Sequence, residues 1–150
     1  VNSKVIAGAL SISLAQRLVR KLCEHCKEPY ESTDKESRVV TNILGEMITS
    51  EKNESMLGHT PATAYVLHKA VGCEECSGSG YKGRIGIFEG IIMNKDMEAI
   101  LITNPTEREV RNAAKNQKIP SLREDAILKM LEGITSFEEI GKTVDLYGEE

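Results

Sequence analysis

The apolar positions change their period several times along the chain, and each change marks an expected element. Val5, Ile6, Ala9 and Leu10 recur at helical spacing behind Ser3, a residue type suited to a cap, which predicts a short helix over residues 3 to 12. Leu14, Leu18 and Val19, with Gln16, Arg17 and Arg20 between them, predict a strand from Leu14 to Leu22 that runs into Cys23. Val39, Val40, Ile43, Leu44 and Met47 return to helical spacing and predict a helix over residues 35 to 48, followed by a mobile polar loop from Thr49 to Thr60. A strand is expected from Tyr65 to Val71 and a clearer one from Gly83 to Met93. Along the latter, Ile85, Ile87 and Ile91 share a face with Glu89, while Gly86, Phe88, Gly90 and Ile92 line the other. Glu89 then has two readings: a strand carboxylate held by a nearby arginine such as Arg84, or a residue pointing into a seam with another domain.

From Asn94 onward the pattern is helical and well punctuated. Thr106-x-x-Glu109, Ser121-x-x-Glu124 and Ser136-x-x-Glu139 read as three capping boxes, in which hydroxyl and carboxylate satisfy the first amides of a helix. Pro105 and Pro120 precede two of them, and Gly133 separates the last two helices. Ile127, Met130, Leu131 and Ile134 form a stripe expected to be buried.

Composition narrows the class. Of 150 residues, 40% are hydrophobic and 28% charged, which fits a folded domain, but two Phe, four Tyr and no Trp leave its core to aliphatic side chains. The net charge is −4, so a basic face for gripping nucleic acid is not expected. The stretch from Glu31 to Gly58 is acidic, and from Ser121 to Glu150 three basic residues meet eight acids, read chiefly as a solvated surface. No run approaches the length of a membrane span, and Val1-Asn2-Ser3-Lys4 does not resemble an export signal. A start on Val rather than Met leads us to expect a piece of a longer chain.

The four cysteines carry the chemistry. Cys23-x-x-Cys26 and Cys73-x-x-Cys76 are two knuckles, each of which sets two thiolates on one tight turn, and two knuckles complete a tetrahedron around zinc. The 46 residues between Cys26 and Cys73 exceed a compact ribbon's spacing, but that extra loop costs only about 0.8 kcal/mol in closure entropy. Disulfides, a redox pair and an iron–sulfur cluster are the alternatives, and zinc is favoured over them. Disulfides need an oxidising compartment, and Cys26 is followed by Lys27-Glu28-Pro29 and Cys76 by Ser77-Gly78 rather than by an opening helix. Arg17, Arg20, Lys21 and Lys27 are expected to offset part of the thiolate charge. His25 is expected on the exposed turn, and His59 and His68 are read as ordinary residues. The fold class is α+β: a tetracysteine module with short strands over residues 23 to 93, carrying an insert at 31 to 60, then about four short helices over 94 to 150. No P-loop, H-E-x-x-H or Ser/His/Asp signature occurs, so this chain alone is not expected to be an enzyme.

Three blocks in order, Ala15-Gln16-Arg17-Leu18 through Cys26, Gly72 through Glu89, and Leu122 through Ile140, resemble the C-terminal region of type II secretion and type IV pilus assembly ATPases. The resemblance implies that residues 1 to 22 close a RecA-like domain whose ATP and magnesium site lies upstream. It also implies a hexamer at the cytoplasmic face of the inner membrane, working with a membrane platform protein and cytoplasmic assembly proteins. The four cysteines match that family's metal site. Gln16, Arg17, Arg20 and Glu89 become domain-interface candidates. Lys95 to Ile102 departs from the retraction motors of the group, which favours assembly or secretion. Two other classes compete. Cys73-x-x-Cys76-x-Gly78-x-Gly80 resembles the zinc region of J-domain co-chaperones, which needs four such repeats, and a nucleic-acid-binding zinc ribbon is disfavoured by the charge.

Overall fold

Two antiparallel ribbons and five helices make up the computed structural model, which describes residues 8–48 and 64–147, with side chains throughout except at 46–48. In chain order these are β1 (Ile12–Leu22), β2 (Glu28–Glu31), α1 (Asp34–Ile48), β3 (Val66–Lys69), β4 (Tyr81–Ile92), α2 (Lys95–Ile102), α3 (Glu107–Lys115), α4 (Leu122–Leu131) and α5 (Phe137–Thr143). The α+β class expected from the pattern is what the chain forms. Residues 3–7 of the first expected helix and the loop 49–60 lie outside the described residues, except that Gly8 and Ala9 are helical. That helix stops short of its expected end, because β1 begins already at Ile12 to pair with Ile92.

β1 pairs with β4 from Ile12↔Ile92 to Leu22↔Tyr81, with a register shift between Arg20 and Leu22, and β2 pairs with β3. A two-stranded ribbon is marginal by itself, and here the C-terminal helices and the loops between them satisfy its outer edges. Along β4, the amide of Phe88 donates to Asp125 (2.8 Å), and Gln117 exchanges two bonds with Ile92 (2.8 and 2.7 Å). Along β1, Arg20 donates its amide to Glu139 (3.0 Å) and Leu22 donates to the carbonyl of Ile134 (2.8 Å). Side chains of α4 and α5 and the loops on either side of α4 thus take the place of the missing neighbour strands.

The core gathers Val19, Val39, Val40, Ile43, Leu44, Leu67, Ile87, Ala126, Ile127, Met130 and Ile140, all buried. It joins β1, β3 and β4 to α1, α4 and α5, so the last two helices complete the strands' core. Full burial of each large aliphatic side chain contributes about 1.5–3 kcal/mol. The stripe on α4 is real at Ile127 and Met130, whereas Leu131 and Ile134 are half-buried because the helix ends at Leu131. Two of the three expected capping boxes form, at Thr106/Glu109 and Ser121/Glu124. The third is half made: Ser136 accepts from the Glu139 amide (3.2 Å), but the Glu139 carboxylate turns away to Arg20. The opposite face of the β1–β4 ribbon leaves Ile12, Leu14, Leu18, Phe88 and Ile92 exposed.

Candidate metal centre

The two knuckles occupy the β1–β2 and β3–β4 connections, so four strand ends converge on one point. Both are closed by backbone bonds. Lys27 donates its amide to the Cys23 carbonyl (3.0 Å), and Gly78 to that of Cys73 (2.8 Å) around a short 3-10 turn at Glu74–Cys76. Cys23 donates to the Gly80 carbonyl (3.0 Å), tying the first knuckle to the second. Within the second knuckle, Gly72, at φ +114, lets the chain fold back on itself: a Cβ there would lie 2.5 Å from the Gly78 carbonyl oxygen.

The structure brings Cys23, Cys26, Cys73 and Cys76 together, with all four sulfurs within 4.8 Å of one another and all four thiols free. Three sulfur pairs are 3.9 Å (Cys23 to Cys73), 3.8 Å (Cys26 to Cys76) and 3.7 Å (Cys73 to Cys76) apart. Four sulfurs placed tetrahedrally at roughly 2.3 Å from one centre are separated by about 3.8 Å, so the cluster can hold a metal ion. Cys23 and Cys76 are buried. Amide groups point at the sulfurs: Gly72 at Cys26 (3.3 Å), and Cys73 and Gly80 both at Cys76 (3.2 Å each).

The acidities of these thiols reflect the same contacts. Burial pushes the Cys26 thiol up to about 11, against the opposing amide of Gly72. Burial also raises Cys76, but the amides of Cys73 and Gly80, together with the neighbouring thiols of Cys73 and Cys26, bring that thiol down to about 6. Four thiolates this close repel one another unless a cation sits among them, and a divalent ion would take them all as thiolates.

Lys27, Arg17 and Arg20 turn to partners other than the sulfurs. Lys27 bonds Glu24 (2.7 Å) and the Gly133 carbonyl (3.1 Å), and Arg17 donates to the carbonyl of Thr143. Arg20 grips Glu139 through Nε (2.9 Å) and Nη2 (2.5 Å) and stacks over Tyr81 at 4.0 Å. That hydrogen bond raises Arg20 above its ordinary value and holds Glu139 below the usual carboxylate range. Backbone amides, which sequence spacing does not display, meet the sulfur charge instead. Gln16 is exposed and lies opposite Phe88. Glu89 accepts from the amide of Leu122 (3.3 Å), not from Arg84, which strand alternation puts on the other face. His25 is exposed as expected, and Glu74 and Glu75 are exposed as well.

The loop between α4 and α5 carries no motif that marks it as part of the site. Gly133 (φ +71) lies against the ring of His68, where a Cβ would come within 2.9 Å of Nδ1, and Thr135 donates to the Arg20 carbonyl (2.9 Å). Tyr81 and Ser136 bond through their hydroxyls (2.7 Å). Gly133-Ile134-Thr135-Ser136 therefore clamps the strand ends that carry both knuckles. Its legible signal was the glycine that separates the last two helices.

Residues 1–142 match the Type II/IV secretion system protein family. The chain is 38% identical over 127 residues to the type II secretion system protein E of Pseudomonas aeruginosa, covering 85% of this chain and 22% of that protein. It is 35% identical to the type II secretion system ATPase E of Vibrio cholerae, covering 91% of this chain and 24% of the relative. It is also 33% identical to the type IV pilus assembly ATPase PilB of Thermus thermophilus, covering 90% and 14%. The chain thus spans less than a quarter of the length of these relatives.

Proposed function

This chain belongs to the Type II/IV secretion system protein family, and from that premise we propose that it forms the zinc-binding C-terminal part of a hexameric ATPase that powers type II secretion or type IV pilus assembly. Cys23, Cys26, Cys73 and Cys76 hold one zinc ion, and the observation that carries this is the tetrahedral spacing of their sulfurs. Four sulfur ligands leave no open position for water or substrate, so zinc here holds the fold and supplies no reaction step.

ATP and magnesium are bound elsewhere in the parent protein, and this part passes movement to a membrane platform protein and to cytoplasmic assembly proteins at the inner membrane. Among the described residues no helix is long and apolar enough to cross a membrane. The exposed Ile12, Leu14, Leu18, Phe88 and Ile92 support the reading that this face of the β1–β4 ribbon is covered by a further part of the parent, the portion of the RecA-like domain that precedes residues 1 to 22. The clamp from Gly133 to Ser136 supports transmission, because it ties that ribbon and the knuckles to the last helix.

Titrating the zinc-loaded chain against the cytoplasmic part of a platform protein, with a DNA duplex in parallel, tests the partner reading. Saturable binding to the platform alone is expected. Binding to the duplex alone would transfer the chain to the zinc-ribbon class.

A further inference from the structure

The chain carries four more acidic than basic residues, yet a cleft of about 750 Å³ between β1, β4, α3, the start of α4 and the segment after α5 collects five basic side chains. These are Arg17, Arg108, Arg111, Lys115 and Arg123. Three of them come from α3, where positions 108, 111 and 115 share one helical face. α3 buries none of its residues, so the core does not dictate that face.

Three carboxylates also line the cleft, and each has a donor within the chain. Glu107 accepts from Arg111 (2.8 Å), Glu89 from the Leu122 amide (3.3 Å) and Asp145 from the Tyr147 amide (3.0 Å). The first amide of α4 is therefore already used, and the helix end is not the binding element. Arg108 and Lys115 are exposed and have no ion pair among the described residues.

We propose that this cleft binds a polyphosphate anion, two or three linked phosphate groups either free or at the end of a nucleotide. The volume lies in the range of small-molecule sites. Arg108 brings a planar fork that matches phosphate oxygens in pairs, Lys115 adds a point charge on the same face, and the other three cations add positive charge around them. No aromatic side chain lines the cleft, so nothing there stacks on a base, and recognition falls on the phosphate chain. An acidic peptide fits less well, because Leu122 and Val144 alone offer apolar contact to its side chains. This site is independent of the motor reading and of the cysteines.

The test is calorimetric titration of the zinc-loaded chain, freed of excess zinc and magnesium, with pyrophosphate, tripolyphosphate, ADP and ATP. The expected result is saturable binding, with amide NMR shifts at Arg17, Arg108 and Lys115. The double variant Arg108→Ala/Lys115→Ala should weaken it about tenfold or more at unchanged melting temperature and zinc content. ATP binding more tightly than tripolyphosphate would name a nucleotide as the source, and equal affinity would name the phosphate chain itself. Both uphold the site. No saturation at millimolar ligand, equal binding by the double variant, or tighter binding of a glutamate-rich peptide or a DNA duplex would overturn it.

Discussion

Cys76→Ser should lower the melting temperature by roughly 10–20 °C, the equivalent of about 3–5 kcal/mol in a chain of this size. Cys76 is the most constrained of the four ligands: its sulfur accepts the amides of Cys73 and Gly80 and lies 3.8 and 3.7 Å from two other sulfurs. Serine places a poorer metal ligand on a shorter bond, and the remaining three thiols cannot close the tetrahedron. The same loss is expected at Cys23, Cys26 and Cys73, and on adding a strong chelator to the unaltered chain. His25→Ala should change little, since that ring is exposed. Damage should be uneven. The aliphatic core around Ile127 and Met130 lies apart from the sulfurs, so hydrogen exchange should rise first across both knuckles and the β2–β3 ribbon and last in α4.

Glu139→Gln is expected to cost about 2 kcal/mol, read by thermal or denaturant unfolding. The carboxylate is buried and takes both the amide and the guanidinium of Arg20, on the outer edge of β1 two residues before Leu22. Much of Arg20 faces solvent, so the loss stays below that of a fully buried pair. The pH dependence separates the charge from the packing. Because Arg20 holds Glu139 below its ordinary value of 4.5, the pair stabilises the fold above that pH, and the contribution disappears as pH falls through the lower folded value. Below pH 4.5 the unaltered chain should therefore lose stability more steeply than Glu139→Gln, and the two curves should converge. Parallel curves would mean that Glu139 acts only through packing.

Much of this arrangement could be read from spacing alone. The two knuckles needed only the order of four cysteines, and β1, β3 and β4 beside them were legible in the apolar pattern, whereas β2, only four residues long, was not. Helical spacing made legible the helix expected over residues 35 to 48 and the buried positions of Ile127 and Met130. Contacts between distant segments were not legible. Ser136-x-x-Glu139 has a capping spacing, but nothing local announces that the carboxylate prefers an arginine 119 residues earlier in the chain. The same holds for the amides that meet the sulfurs, because backbone donors carry no residue-type signature. Glu89 shows a third kind of miss. Alternation put it on the right face, yet its partner is a helix amide supplied by chain folding, and no side-chain pairing rule finds that. The basic cleft was hidden by the net charge: an acidic total says nothing about where five cations converge.

The central claim is that four sulfurs from two connections hold one zinc ion and so fasten the strand ends together. It is tested most directly by metal analysis of the chain purified without chelator. The account predicts about one zinc per chain, retained through dialysis and released together with the loss of protection in the knuckles. A folded chain with essentially no zinc, and with all four thiols free to react, would contradict it.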